Sequence, residues 1–545
     1  MKKIAILSPL LLAFLLLVVS GTTLVKAPVN DPVSHHYSKI HDAVPAWVRS
    51  LLWSSVMSID DFPGSTADER FEKAQAAVLT RGGGVVYFPA GTYIFFKDVL
   101  LKSNVIIRGV DPVGVTDARN DKYDLLTKFE FPRYKPSMEG DGTPNQTAFK
   151  GILLDEPATA GNCGVVNVDI NSGHISMPGG GSDHSAGANR LVFGCIIRNA
   201  AGAKKGIPDV SIGQHAWQRF PGNQSAVSVF GSNLLVANNR LPHSGENNFL
   251  QKGYVLLDRN KKQFSVEEGV MFDYDNREGL VVNSYALGGG GHNPPDGTPE
   301  THPWGFRKGI IIRDNYVFCS GRGAIEFSGD GVICSFNVIR YPPDLLLWTH
   351  TGTQISTGSA TNGNRAVQMR GWRWTVEGND YEVYRNRTPE AKVYINDGEG
   401  LMHEDHVNST VKDSKLINNK GNSYISIFAC GDIDGLLVKG NNIQPKGPGT
   451  DIGISSIFIV ADHTSYGKRF PCRNVSVIDN ITCGSGIRIS GSPASNNIVK
   501  GNKNLGKQGR LINNAEAQLD NNENYEVITK DMTQPLKPAT RPAGR

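Results

Sequence analysis

Apolar residues along this 545-residue chain keep two rhythms, one short stretch at helical spacing and then a long succession of short alternating runs. In the first, Thr66 and Glu69 form a Thr-x-x-Glu capping box, and Phe71, Ala74 and Val78 return on one face. The spacing predicts a helix of about three turns. Gly82-Gly83-Gly84 breaks the period, Val85 to Phe88 reads as a strand, Pro89-Ala90-Gly91 as a turn, Thr92 to Phe96 as a second strand and Val105 to Ile107 as a third.

The alternating runs share one theme, an apolar stretch ending in asparagine. It recurs at 233–239, 311–317, 332–338, 414–419, 436–443, 475–480 and 498–502. Such recurrence indicates a solenoid, in which no coil buries its apolar side alone and stacked neighbours make the core. Asparagine suits the corners because it tolerates left-handed backbone angles and its amide can bond the same residue one coil on. Strands of successive coils then lie about 4.8 Å apart.

A capping helix followed by strands that each end in Gly or Asn resembles the N-terminal cap of the pectate lyase superfamily. The resemblance runs from residue 58 to about residue 510. It implies an all-β fold, a right-handed single-stranded parallel β-helix with an N-terminal capping helix, and a carbohydrate-active protein. It transfers no catalytic residue. The Asn-Thr-Asp, Asp-Asp, Gly-His-Gly and Arg-Ile-Lys set of polygalacturonase-like hydrolases has no counterpart: Asp60-Asp61 precedes the cap helix and Ser172-Gly-His-Ile175 lacks the second glycine. The Asp-His signature at the calcium site of true pectate lyases is also missing.

Composition fits a folded solenoid: 39% hydrophobic residues are too many for a disordered chain, and 61 Gly and 29 Pro supply turns without a collagen period. Residues 1–27 read as a secretory signal, with Lys2-Lys3, an apolar stretch from Ile4 to Val19, and Val25-Lys26-Ala27 at the cleavage site. The expected mature protein is exported (periplasmic, cell-surface or extracellular), monomeric, and without a membrane span once the signal is cleaved. Loss of Lys2, Lys3 and Lys26 takes the formal charge from +4 to +1, which argues against nucleic acid as a partner. Residues 28–59 read as a lead-in packed against the cap helix, 60–525 as the β-helix domain, and 526–545 as a disordered tail. Of the seven cysteines, the pairs closest in sequence, Cys319 with Cys334 and Cys472 with Cys483, are the candidates for bridging; the alternative is small apolar filling of the coil interior.

Long polar insertions near 111–149, 200–226, 286–308, 341–364 and 377–392 interrupt the strand theme and carry Trp217, Trp304 and Trp348, with Trp372 and Trp374 nearby. In a solenoid they project from one edge and wall a groove, so chemistry is expected on outward strand positions beside them. In Gly269 to Asp275 the alternation turns Asp273 and Asp275 outward; in Ala324 to Asp330 it turns Glu326 outward between Ile325 and Phe327; in Val367 to Arg370 it turns Gln368 and Arg370 outward. Stacked, these strands would set Asp273, Asp275, Glu326, Gln368 and Arg370 on one water-facing patch. Carboxylates so close divide into proton donor and ionised partner, the need of acid/base glycosidic cleavage. A second acidic run, Asn396 to His406, reads as a loop in which Asp397 and Glu399 could hold Ca²⁺ and His403 could flank the groove. Asp169, His174, Asp183 and His184 rank below these.

Three classes follow. A glycoside hydrolase using paired carboxylates, with Asp273, Asp275, Glu326 and Arg370 catalytic, Gln368, Trp217, Trp304, Trp348 and His403 on a polysaccharide substrate, and no cofactor, comes first. A polysaccharide lyase acting on an acidic glycan, in which Ca²⁺ is possible and Arg370 and His403 become central, is the alternative. A noncatalytic carbohydrate-binding surface protein is the third.

Overall fold

The computed structural model describes residues 30–38, 43–132, 150–180, 184–198, 225–242, 249–250, 255–257, 263–265, 270–271, 278–284, 298–318, 323–340, 365–383, 399–403, 410–429, 431–444, 456–463, 468–484 and 486–529. Its strands fall mainly into three long parallel sheets. Sheet A has 14 strands, from Val56–Ser58 to Gln518–Asp520; sheet B has 12, from Gly91–Ile94 to Lys503–Leu505; sheet C has 13, from Val99–Leu101 to Tyr525–Ile528. The chain visits A, B and C in turn on each coil, a right-handed parallel β-helix, as the cap and the repeat led one to expect. The coil opens slightly earlier and closes slightly later than the strand theme suggests: Val56–Ser58 pairs with Gly84–Tyr87 at its start, and Tyr525–Ile528 pairs with Gly509–Asn514 at its end.

The interior is filled by lines of like residues. Val99, Ile152, Ile175, Val227, Leu280, Ile325, Val367, Leu401, Ile425, Ile457, Ile487 and Leu511 follow one another in register along sheet C, all in the buried core. Burying each aliphatic side chain stabilises the fold by about 1.5–3 kcal/mol. At the N-terminal end the helix Ala67–Leu79 closes this column with Phe71, Ala74 and Val78. Thr66 caps it by accepting from the Glu69 N–H at 3.2 Å. The Glu69 carboxylate reaches back one residue further than a capping box requires, to the Ser65 N–H at 2.9 Å.

Two expectations need correction. Up to Trp53 the lead-in packs away from the cap helix: Val33, Tyr37, Val48, Leu51 and Trp53 form a separate cluster with Val85, Ile106, Val166, Leu191 and Leu235, the outer face of sheet A. Apolar spacing marks a face for burial without naming the surface that buries it. Nor are the cysteines bridged as sequence proximity suggested, since neither Cys334 nor Cys483 is in a disulfide, and Cys163 and Cys195 are unbridged too. All but Cys483 are buried, in line with the filler alternative.

The two corners on either side of sheet B differ. Between sheets A and B, a residue at positive φ is followed by a buried asparagine: Asn238-Asn239, Asp314-Asn315, Phe336-Asn337, Gly378-Asn379, Asn418-Asn419, Gly440-Asn441, Asp479-Asn480 and Gly501-Asn502. The two tasks expected of one asparagine are thus divided between neighbours, the first turning the chain and the second bonding the next coil. Asn337, for example, donates its backbone N–H (3.0 Å) and its Nδ2 (2.9 Å) to Asn379 Oδ1. Between sheets B and C, by contrast, long intervals separate one rung's strand from the next, at 199–226, 242–277, 341–364, 383–398 and 444–456. These intervals all adjoin sheet C.

Candidate functional site

The two longest described strands, Gly323–Asp330 and Arg365–Trp372, each of 8 residues, are neighbours in sheet C. Ile325, Phe327, Val367 and Met369 enter the core, so Glu326, Ser328, Gln368 and Arg370 share the outer face, with Glu326 in register with Gln368 and Ser328 with Arg370. The parity is as read from the sequence, but the water is not there. Gln368 is 1% and Arg370 7% exposed. Alternation gives the side of the sheet and says nothing of what covers it.

Glu326 lies in a compact polar triangle. Its Oε1 accepts from Arg370 Nη1 at 2.6 Å and from Ser284 Oγ at 2.6 Å, and Arg370 Nη1 also donates to Ser284 Oγ at 2.8 Å. Oε2 receives no donor among the described residues, which leaves one carboxylate oxygen for a ligand. Arg365 Nη1 donates to Gln368 Oε1 at 2.6 Å and orients that amide. Ser284 had no signal of its own in the sequence; it follows the strand Glu278–Val282, which stacks directly on Gly323–Asp330.

That strand displaces another expectation. The run thought to stack beside Glu326 begins with Val270–Met271, which pairs antiparallel with Phe249–Leu250 and is no rung of the coil. The residue in register with Glu326 on the preceding rung is Val281. Asp273 and Asp275 themselves lie outside the described residues, as do Trp217, Trp348 and Asp397. The acidic run read as a loop is in part a sheet C strand, Glu399–His403, with Glu399 in register with Arg365 and His403 with Met369. Among the described residues no three His, Cys, Asp or Glu side chains gather as a metal site.

Trp304 belongs to the short turn Pro303–Phe306, which packs on the strand Gly323–Asp330. Its carbonyl accepts from Asn283 Nδ2 at 2.9 Å, and its ring stacks on His184 at 4.7 Å and meets His302 edge-on at 4.9 Å. Arg307 fixes the same turn by donating to the carbonyls of Ala186 and His184, each at 2.9 Å. At the far end of the two strands, Arg373 Nε donates to Asp330 Oδ1 at 2.6 Å, and this bond raises the Arg373 pKa above its usual value. Trp372 donates Nε1 to Thr410 Oγ1 at 2.7 Å and packs on Phe306.

No family model matches the chain, and no curated protein matches it. Among solved structures, the catalytic unit of the GH87 alpha-1,3-glucanase of Streptomyces thermodiastaticus is similar at 14% identity, covering 91% of this chain and 72% of that one with a TM-score of 0.38. The surface adhesin PfbA of Streptococcus pneumoniae is similar at 12% identity, covering 88% and 94% with a TM-score of 0.39. A mannuronic acid specific family 6 polysaccharide lyase from human gut microbiota is similar at 10% identity, covering 88% and 86% with a TM-score of 0.35. A glucanase, an adhesin and a lyase are all alike in this respect, so the likeness assigns no activity.

Proposed function

We propose that this protein is an exported polysaccharide-degrading enzyme, a glycoside hydrolase that takes its glycan along the outer face of sheet C. The observation that carries this reading is the Glu326 carboxylate, held through one oxygen by Arg370 and Ser284, with no described donor on the other. Asp330 is not its partner acid. It lies four residues along the same strand, about 13 Å away, beyond the separations of roughly 5–9.5 Å that glycosidic cleavage uses, and it is occupied by Arg373. The second carboxylate is sought instead in Asp273 or Asp275, which shortly precede the strand stacked on Gly323–Asp330.

A lyase reading draws on Arg370, whose guanidinium could neutralise a uronate. Arg370 is paired with the Glu326 carboxylate, however, which supports its part in positioning that acid for hydrolysis. The test is incubation of the mature protein with neutral and acidic polysaccharides, reading reducing ends and the ultraviolet absorbance of unsaturated products. Reducing ends without absorbance are expected. Glu326→Gln should lower their rate by about 10²–10⁴-fold. Absorbance that survives in Glu326→Gln would reverse the assignment, and neither signal with any glycan would leave a binding protein.

A further inference from the structure

Ser284 reaches Glu326 because the chain turns at Asn283. The strand Glu278–Val282 runs in register with Gly323–Asp330, with Val281 beside Glu326 and Val282 beside Phe327. Continued in that register, Ser284 would stand level with Gly329, about 10 Å beyond Glu326. Asn283 instead takes a φ of 47°, a left-handed turn that a short polar side chain tolerates and most residues do not. The turn ends the strand and sets Ser284 Oγ on Glu326 Oε1 at 2.6 Å. The Asn283 amide is fully buried and holds that turn from three sides. Its Oδ1 accepts from the Gly231 N–H at 3.2 Å, on the coil before. Its Nδ2 donates to the Ser328 carbonyl at 3.2 Å, on the coil after, and to the Trp304 carbonyl at 2.9 Å. Neither near substitute does both tasks: aspartate would turn a second oxygen on the two carbonyls, and glycine would make the turn without the bonds.

We infer that Asn283 is a positioning residue for Glu326, acting through Ser284. Its amide fixes the left-handed turn, the turn places the Ser284 hydroxyl, and the hydroxyl shares with Arg370 the hold on Oε1 that leaves Oε2 for the substrate. Ser328, whose carbonyl Asn283 also grips, lies two residues from Glu326 on the same strand and in register with Arg370. One amide thus ties the acid, the serine and the arginine to a single frame. A group held in its working geometry needs no reorganisation as the substrate reacts. This inference rests on the reading of Glu326 as the acid of the site, and it adds a buried residue that acts on that acid at one remove.

The carboxyl carbon resonance of Glu326, recognised in glutamate-labelled protein by its loss in Glu326→Gln, tests the coupling without any substrate. Ser284→Ala should shift it, Asn283→Gly should shift it in the same direction, and the double variant should shift it no further than Ser284→Ala. With a glycan that is cleaved, each single variant should lower kcat about tenfold, and the double variant about tenfold rather than about a hundredfold. Glycine makes the turn without strain, so these effects belong to the amide. Asn283→Asp, which keeps the bond from Gly231, takes its place should the glycine variant not fold. A resonance unmoved by either Asn283 substitution in folded protein, or single effects that multiply in the double variant, overturns the inference. The two readings fail separately: coupled shifts with no glycan cleaved remove only the enzyme, whereas cleavage that needs Glu326 but is indifferent to Asn283 removes only the positioning.

Discussion

The corner between sheets A and B and the outer face of sheet C are built from the same coils yet obey opposite rules. From Asn239 onward the corner repeats one residue on each rung, and the spacing of the ladder from Asn315 to Asn522, at 22, 42, 40, 22, 39, 22 and 20 residues, absorbs insertions elsewhere without losing register. On the outer face the described rungs differ: Val281, Glu326, Gln368, Ser426, Phe458 and Arg488. Repetition satisfies buried backbone and amide groups that would otherwise be orphaned, while its absence frees positions for chemistry.

The largest effect expected is on the inner side of the site strand itself. Ile325→Asp places a charge in the aliphatic line, where no partner compensates it, and should yield no folded protein by circular dichroism. Next is the ladder. Asn379→Ala removes the acceptor of two Asn337 donors and the donor to Cys334 O, and should cost about 3–5 kcal/mol in urea unfolding. Asn522→Ala, at the part-buried end, should cost about 1–2 kcal/mol. Equal losses at the two positions would mean that the ladder is not a cumulative device.

Glu326→Gln sharpens the comparison from the other side. The sequence alone sets this carboxylate on a water-facing patch. With side-chain exposures of 12% for Glu326 and 8% for Arg370, the substitution instead weakens a charge-assisted hydrogen bond in a nearly buried site and should cost about 1.5–3 kcal/mol. An unchanged melting temperature would show that water or another group already compensates Arg370.

What was legible follows the same division. The cap helix, the parity of Ile325, Glu326 and Phe327, and the asparagine theme are periodic or locally coded, so the sequence carries them directly. The surface under the lead-in, the partner of Val270–Met271, the burial of Gln368 and the place of Ser284 are set by contacts between residues far apart in the chain, and local pattern is silent on each.

Cys195 joins the two regimes. It occupies the first position of the ladder, where its N–H donates to Asn239 Oδ1 at 2.9 Å, but it brings a thiol in place of an amide. Burial pushes that thiol up to about 12, and burial does the same to Cys163. A group whose pKa is raised on folding stabilises the native state fully below its unfolded value, near 9 for these thiols, and loses that contribution as pH climbs towards 12. Native protein at pH 8 should therefore react with a thiol reagent at Cys483, which is partly exposed, and spare Cys163 and Cys195. Between pH 9 and 12 the melting temperature should fall, and less steeply in Cys195→Ala. Prompt labelling of Cys195 at pH 8 would mean that the first rung of the ladder opens readily, and that its order depends on the asparagines that follow.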